Sequence, residues 1–202
     1  KTVIHISEQY CPTVPNGHAI DAHQAAYSSL TKLQVNPMGH SQDVQTFNAL
    51  VEEKITASIS AHPASDGAYI HAIMNHITQP TDLFISNSLP IRLVDHLSNK
   101  NVGRVYVNRG ASGIDGNLST VMGICQTETS VPLVAIIGDL ATLVDMNALL
   151  MLSTCQRPVK IMVINNGGGD IFSMLPIAKD KATLETYFKM AHNHSIKDIM
   201  SG

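Results

Sequence analysis

Two apolar runs of the sequence end in small oxygen-bearing side chains. Residues 131–137 lead into Gly138, Asp139 and Leu140, and residues 159–164 lead into Asn165 and Asn166. The interval between the aspartate and the second asparagine is close to the roughly 30 residues of one strand–helix–strand unit, so the two runs can be neighbouring strands about 4.8 Å apart. A carboxylate and an amide oxygen at that separation are ligands that Mg²⁺ prefers.

Three consecutive glycines follow the asparagines, at positions 167, 168 and 169. Glycine adopts positive φ without strain and leaves backbone N–H and C=O groups uncovered, so the chain can approach a phosphate closely. Taken singly, an aspartate after a strand is often a helix N-cap, and a glycine-rich segment is often only a turn. The combination and its spacing predict a magnesium–diphosphate site.

A sheet is needed to position these residues, and the sequence beyond Pro80 supplies one. The predicted strands are 83–86, 105–107, 131–137 and 159–164, and the predicted helices are 91–97, 117–126, 143–155 and 184–191. This alternation, with continuous apolar strands, indicates an α/β fold in which a parallel sheet has helices on both faces. Such sheets bind ligands beyond the carboxyl ends of their strands.

Two amphipathic helices are expected before the sheet, the first beginning at Asp43 and the second capped by Asp66. Apolar residues recur at helical spacing at Val44, Phe47, Leu50, Val51 and Ile55, and again at Tyr69, Ile70, Ile73 and Ile77. Residues 1–42 show no sustained period and are expected to be a linker or the remnant of a preceding central domain. The binding domain is expected to occupy residues 43–202 and to be incomplete at its C-terminal end.

Charged residues make up only 14% of the 202 residues, and the net charge is −3. An ordinary soluble domain has about 25% charged residues, so the low content indicates a surface covered by partners. The lack of a basic run argues against a nucleic-acid ligand, and no apolar stretch reaches the ~20 residues of a membrane span. Cys11, Cys125 and Cys155 form no paired spacing and are expected to be buried thiols in a reducing, cytoplasmic compartment.

The aspartate and asparagine pairs carry a specific resemblance. Gly138-Asp139, followed by 24 residues after Leu140 and then by Asn165-Asn166, resembles the signature of thiamin diphosphate (ThDP) enzymes, although Leu140 stands where the signature usually has glycine. The resemblance implies that Mg²⁺, or Mn²⁺ as an alternative, is held against the ThDP diphosphate by Asp139, Asn166 and the carbonyl of Gly168. It also implies that the cofactor is bordered by Gly138, Leu140, Gly169 and Ile171.

Three further segments narrow the resemblance to one family. Residues 86–92, 108–116 and 171–176 resemble the menaquinone-pathway 2-succinyl-5-enolpyruvyl-6-hydroxy-3-cyclohexene-1-carboxylate (SEPHCHC) synthases, and the close resemblance covers residues 82–176. It implies two dicarboxylate substrates, 2-oxoglutarate and isochorismate. Arginine suits bidentate carboxylate recognition, and Arg92 and Arg109 both follow predicted strands at the binding edge. Arg104 and Arg157 are expected to be surface charges or members of structural ion pairs.

The resemblance assigns other side chains to the same pocket. Ile114 would lie beneath the bent cofactor and bring its aminopyrimidine toward the thiazolium carbon, the alternative being an ordinary core residue. Ser88 would join the two arginines in substrate binding, and Phe172 and Leu175 would line the apolar part. The ten histidines show no convincing zinc spacing and are expected to be structural or solvated.

The implied reaction is decarboxylation of 2-oxoglutarate on ThDP and addition of the resulting succinyl-semialdehyde–ThDP enamine to isochorismate, which gives SEPHCHC. It needs a glutamate that the family carries in a pyrimidine-binding domain, and no glutamate of this sequence stands in such a context. We therefore expect the chain to be a portion of a homodimeric or homotetrameric transferase, inactive alone and completed by the pyrimidine-binding domain of a second subunit. Two alternatives stay open: another ThDP-dependent 2-oxoacid decarboxylase, such as an acetohydroxyacid synthase relative, and a noncatalytic nucleotide-binding or interaction domain.

Overall fold

The computed structural model describes residues 4–7, 18–21, 42–98 and 102–201. The chain divides into two compact units, Lys1–Leu50 and Val51–Gly202. In the first unit, β1 (Ile4–Ser7) and β2 (His18–Asp21) pair as parallel strands. The rest of the segment before residue 42, including Cys11, lies outside the described residues. The linker assignment for residues 1–42 and the domain boundary near residue 42 remain predictions.

Helices precede and alternate with the strands of a second sheet. The helices are α1 (Gln42–Ala61), α2 (Asp66–His76), α3 (Leu89–Leu97), α4 (Asn117–Cys125), α5 (Asp139–Val144), α6 (Lys181–Thr183) and α7 (Ile196–Ser201). Shorter 3₁₀ segments are Met146–Thr154, Asp170–Met174 and Pro176–Lys179, and Leu184–Phe188 forms a π-helical turn. No helix within the described ranges is both long enough and apolar enough to cross a membrane.

The second sheet has four parallel strands. They are β3 (Asp82–Ile85), β4 (Val105–Val107), β5 (Leu133–Gly138) and β6 (Val159–Ile164), in the order β4-β3-β5-β6. Strands β4 and β6 have their predicted bounds. Strand β5 starts two residues later than expected, because Pro132 has no N–H to donate to the sheet. Pro132 contributes only its carbonyl, which accepts the N–H of Asp82 at 2.9 Å.

Apolar residues cover both faces of the central strands β3 and β5. On β3, Phe84 points to one face and packs with Leu118 and Val121 of α4. The neighbouring positions Leu83 and Ile85 point to the opposite face and pack against α2 and α3 through residues such as Ile70 and Val94. The predicted α/β fold, a parallel sheet with helices on both faces, is therefore confirmed.

Two predicted helices were wrong. Residues 184–191 do not form an α-helix, because only Leu184–Phe188 is helical and it forms a π-helical turn. The second is the helix predicted over residues 143–155. Residues 143–155 do not form a single α-helix, because α5 begins earlier, at Asp139, and ends at Val144, and a 3₁₀ segment follows. Between the two, the Asp145 carboxylate accepts hydrogen bonds from the N–H and the hydroxyl of Ser119, each at 2.7 Å. This tie to α4 separates the α-helical turn from the 3₁₀ segment.

The two helices before the sheet are present, with two corrections. Ser65 rather than Asp66 is the N-cap of α2, because the Ser65 hydroxyl accepts the N–H of Ala68 at 3.2 Å. The apolar face expected on α1 exists in the sequence but is not buried, and Phe47 is 64% exposed. Amphipathic spacing therefore predicted the helix but not the burial of its face.

A buried ion pair joins the start of the sheet to the segment before β6. Arg157 Nη2 lies 2.9 Å from Asp82 Oδ2, with the arginine side chain 1% exposed, and Asp82 Oδ1 accepts the backbone N–H of Arg104 at 2.9 Å. Burial raises the pKa of Asp82, but the hydrogen bonds from Arg104 and Arg157 outweigh it, so the pKa lies below its ordinary value. Arg157 has the structural role expected of it.

Candidate functional site

The carboxyl ends of the central strands open into one cavity of about 750 Å³. The chain leaves β3 toward β4 on one side and leaves β5 toward β6 on the other, so a crevice forms between β3 and β5. Every site residue predicted from the sequence lines this cavity: Ser88, Arg92, Arg109, Ile114, Gly138, Asp139, Leu140, Asn166, Gly168, Gly169, Ile171, Phe172 and Leu175. The structure thus brings the predicted residues together, while their individual roles remain predictions.

Asp139 is the buried centre of the site. It is the first residue of α5 and is 2% exposed. Its Oδ2 accepts the backbone N–H groups of Gly167 at 2.8 Å and Gly168 at 2.9 Å, and its Oδ1 accepts the N–H of Leu140 at 2.6 Å. A buried carboxylate is tolerated when such donors compensate for lost water. The same bonds join the end of β5 to the glycine loop after β6.

The glycine loop has a shape that only glycine permits at its middle position. Gly168 has φ +140, and a Cβ added there would collide with the backbone carbonyl oxygen of Lys189. That carbonyl accepts the N–H of Gly169 at 2.6 Å. The Gly168 carbonyl itself accepts the N–H of Asp170 at 3.0 Å, which leaves its second lone pair for another partner.

Asn166 and Asp66 form a contact that the sequence did not suggest. Asn166 is exposed, and its Nδ2 donates to Asp66 Oδ2 at 2.7 Å across 100 residues of sequence. This contact directs the amide nitrogen toward α2. Its amide oxygen Oδ1 accepts no hydrogen bond from any residue in the described ranges, so it stays available as a ligand.

These donors fit a hard divalent cation. A carboxylate oxygen, an amide oxygen and a backbone carbonyl are all oxygen ligands, and Mg²⁺ completes its octahedron with water and substrate phosphate oxygens. Within the part of the chain that the structure describes, no three His, Cys, Asp or Glu side chains cluster as a metal site. A cation here would therefore depend on the mixed set of Asp139, Asn166 and Gly168.

Arg92 and Arg109 add positive charge to the lining of the cavity. Both side chains are exposed. Arg92 Nη1 donates to the carbonyl of Ser88 at 2.7 Å, and Arg109 Nη1 donates to Asn87 Oδ1 at 3.3 Å. Neither forms an ion pair with an acidic side chain of the described residues, so each guanidinium keeps most of its donors for a ligand anion.

The segment between β3 and α3 is held in an unusual conformation. Ser88 has φ +74 and ψ −134, and its hydroxyl makes no cap hydrogen bond to α3. The preceding Asn87 is buried and donates to the carbonyls of Asn108 and Gly113, each at 2.7 Å. Strained non-glycine residues persist where their surroundings fix them, and they cluster at ligand sites.

Apolar side chains cover the remainder of the cavity. Ile114 is partly buried, packs against the core cluster around α4 and also lines the cavity; its role beneath a cofactor remains a prediction. Phe172 packs edge to face on Phe188, with ring centroids 5.4 Å apart, while Leu175, which also lines the cavity, is 48% exposed. Phe188 and Met190 also line the cavity, and nothing in their local sequence indicated it.

His192 was also missed as a residue of the site, although its contact there is consistent with the structural role expected of the histidines. Its Nε2 lies 3.2 Å from Asp139 Oδ2, and its side chain is 8% exposed. No short motif links the two residues, which are 53 positions apart. The only feature of the sequence that could have drawn attention to His192 was a second histidine nearby, His194. The two histidine rings stack on each other.

The fold and the cavity define a class: an α/β ligand-binding domain with its site at the carboxyl edge of a parallel sheet, at the point where the strand order reverses. Within that class, the chain is 35% identical over 179 residues to the SEPHCHC synthase of Roseiflexus castenholzii. It is 34% identical over 179 residues to the SEPHCHC synthase of Roseiflexus sp. strain RS-1. These similarities confirm the resemblance inferred from the motifs.

Each similarity covers most of this chain but a smaller part of the relative. The matched region is 87% of the chain and 31% of each synthase, so the chain spans about a third of the length of these curated relatives. No family model matches the chain. The similarity extends well outside residues 82–176, the part in which the motifs had been recognised.

Proposed function

We propose that this chain provides the diphosphate and magnesium site of a ThDP-dependent transferase that makes SEPHCHC in menaquinone biosynthesis, from 2-oxoglutarate and isochorismate with loss of CO₂. The similarity to two SEPHCHC synthases supports the reaction class. The observation that carries the proposal is the composition of one cavity, whose lining includes a buried carboxylate, a glycine loop and two arginines that have no acidic partner in the described ranges.

Asp139, Asn166 and the Gly168 carbonyl would hold Mg²⁺, and the loop at Gly169 would border the cofactor diphosphate. Gly138, Leu140 and Ile171 would flank it. When bound, ThDP supplies the carbon nucleophile and the electron sink that decarboxylation of a 2-oxoacid requires. The residues of this chain have the tasks of binding, orienting and excluding water.

Arg92 and Arg109 would bind the carboxylates of the two substrates. Arginine presents a planar fork that matches a carboxylate in two parallel hydrogen bonds. Arg92 uses one terminal nitrogen to bond Ser88 O, and Arg109 uses one to bond Asn87 Oδ1. These bonds fix the position of each guanidinium. Their fixed positions lower the entropy lost when a dicarboxylate is ordered. Ser88 would contribute its hydroxyl beside them.

The apolar residues would shape and dry the pocket. Ile114, which already packs against the core, would support the cofactor from below. Phe172, braced by Phe188, and Leu175 at the rim would exclude water from the reacting carbon, where protonation would compete with carbon–carbon bond formation. The catalytic glutamate would come from the pyrimidine-binding domain of a second subunit in a homodimer or homotetramer.

Calorimetry with ThDP tests the cofactor site. The purified chain is titrated with ThDP in the presence of Mg²⁺, alongside Asp139→Asn and the matched control Asp95→Asn, which changes an exposed aspartate of α3 outside the cavity. Asp139→Asn should weaken binding at least tenfold, since loss of even an outer partner of a metal site costs about 10–100-fold. Binding that ignores Mg²⁺ or survives in Asp139→Asn contradicts the proposal, and binding of ADP but not ThDP favours a nucleotide-binding module.

Substrate recognition is tested in the complete enzyme. Arg92→Gln and Arg109→Gln should raise the KM for 2-oxoglutarate or isochorismate about tenfold or more, because a charge-assisted hydrogen bond is worth about 1.5–3 kcal/mol. Arg104→Gln is the control, since Arg104 is exposed and does not line the cavity. Unchanged KM for both substrates in both variants would remove the arginines from the site and favour a different 2-oxoacid enzyme.

A further inference from the structure

His192 reaches the site from a part of the chain far from every motif. It follows the π-helical turn Leu184–Phe188, and its Nε2 lies 3.2 Å from Asp139 Oδ2. The two side chains are 8% and 3% exposed, so water competes little for this contact. The proposed function gives no role to this residue.

The surrounding hydrogen bonds fix which ring nitrogen carries the proton. The backbone N–H of His194 donates to His192 Nδ1 at 3.3 Å. Nδ1 must therefore present a lone pair, and in a neutral imidazole the proton is then on Nε2. Nε2–H points at the carboxylate as a donor, so the two contacts of the ring are consistent with each other.

Counting lone pairs shows what this donor does to Asp139. A carboxylate has about four acceptor positions, two on each oxygen. Oδ2 receives three donors, namely Gly167 N, Gly168 N and His192 Nε2, which is one more than its two positions, so the donors share its lone pairs; His192 is the one among them that is a side chain. From the described part of the chain, Oδ1 receives Leu140 N alone and keeps an open position. The carboxylate is thus prepared to bind a cation through Oδ1 alone.

The backbone between Lys189 and His192 holds the imidazole in place. The Lys189 carbonyl accepts Gly169 N at 2.6 Å, and His192 N donates to the Gly167 carbonyl at 3.4 Å. Lys189 Nζ lies 3.1 Å from Glu185 and 3.7 Å from Asp170. This short strap is attached to the glycine loop at both ends, so His192 and the two glycine N–H donors form one rigid unit around Oδ2.

We propose that His192 is a positioning residue that makes Asp139 a monodentate ligand and thereby favours Mg²⁺ over Ca²⁺ at this site; the inference rests on the proposed function. Mg²⁺ demands near-ideal octahedral geometry, whereas Ca²⁺ accepts bidentate carboxylates and higher coordination. Without the histidine donor, Oδ2 is held from the glycine loop alone, by Gly167 N and Gly168 N, and the carboxylate is freer to rotate both oxygens toward a larger cation. The preference of the site for Mg²⁺ over Ca²⁺ then falls.

Two variants and a control test the proposal on the full 202-residue chain. His192→Phe keeps a ring of similar size and removes the donor, and His192→Gln replaces it with an amide N–H. His76→Phe makes the same exchange at an exposed histidine of α2, whose hydrogen bond among the described residues is to its own helix, at Ala72 O. ThDP affinity is measured by calorimetry with Mg²⁺ and with Ca²⁺, and the His192 tautomer is read from ¹⁵N NMR of the cofactor-free chain.

His192→Phe should lower ThDP affinity with Mg²⁺ about tenfold, in the range for outer partners of metal ligands, and lower it less with Ca²⁺. His192→Gln should recover most of the preference, and His76→Phe should match the wild type. An unchanged Mg²⁺ to Ca²⁺ ratio in His192→Phe, or a proton on Nδ1, overturns the role of His192 while leaving the proposed function intact. Wild-type protein that binds ThDP with neither cation overturns both.

Discussion

Replacing Gly168 with alanine tests the shape of the glycine loop directly. At φ +140 a residue with a Cβ is strained by about 1–3 kcal/mol. The added Cβ also collides with the Lys189 carbonyl oxygen, so that carbonyl must move away from Gly169 N and weaken a hydrogen bond worth about 1 kcal/mol net. We expect Gly168→Ala to lower the free energy of unfolding by about 3 kcal/mol.

Two other glycines separate the contributions. Gly110 has φ +115 but open space at its Cβ position, so Gly110→Ala should show strain alone, about 1–2 kcal/mol. Gly123 lies in α4 with open space and no positive φ, and Gly123→Ala should gain up to about 1 kcal/mol from helix propensity. Urea unfolding followed by circular dichroism gives all three values if the m-values agree. A loss in Gly168→Ala no larger than in Gly110→Ala would refute the close approach of Lys189.

Other predictions concern the buried pair, a buried thiol and the strained serine. Arg157→Leu leaves the buried Asp82 carboxylate without its partner and should cost about 3–5 kcal/mol in urea unfolding. Because the pKa of Asp82 is below its ordinary 3.8 in the folded chain, its stabilising contribution is present above pH 3.8 and is lost as the pH falls through the folded value; Asp82→Asn should flatten that part of a stability–pH profile. Burial raises the pKa of Cys125 from 9.0 to about 12, so the unfolded thiol ionises first and stability should fall as the pH rises above about 9, with a smaller slope in Cys125→Ala. Ser88→Gly should raise the thermal midpoint by relieving about 1 kcal/mol or more of backbone strain.

The sheet and the position of the site could be predicted because both depend on local patterns. Apolar runs of strand length alternated with helical segments, and parallel strands bring their carboxyl ends to one edge wherever the intervening helices lie. Asp139 and Asn166 needed nothing more than this to be assigned to the same cavity. The same argument assigned Arg92 and Arg109 to this cavity.

The missed features depend on contacts between distant residues. The bond from Asn166 to Asp66 spans 100 positions, and the His192–Asp139 contact spans 53; no periodicity encodes either. The 3₁₀ segment Met146–Thr154 was predicted as α-helix because periods of 3.0 and 3.6 residues differ little over nine residues. The exposure of the apolar face of α1 could not be predicted for a related reason. Amphipathic spacing shows that a helix has an apolar face, but it does not show whether another element covers that face.

The conformation of Ser88 has a consequence for how this site could change under selection. The bond that fixes Arg92 uses the Ser88 backbone carbonyl, which any residue would supply, and glycine would adopt φ +74 with less strain. Variants chosen only for heat resistance should therefore drift to glycine at position 88 without losing that bond. A library selected for turnover would keep serine at position 88 only if its hydroxyl contacts a substrate. Comparing the residue enriched at position 88 in the heat-selected library with the residue enriched in the turnover-selected library would therefore show whether the hydroxyl takes part in substrate binding.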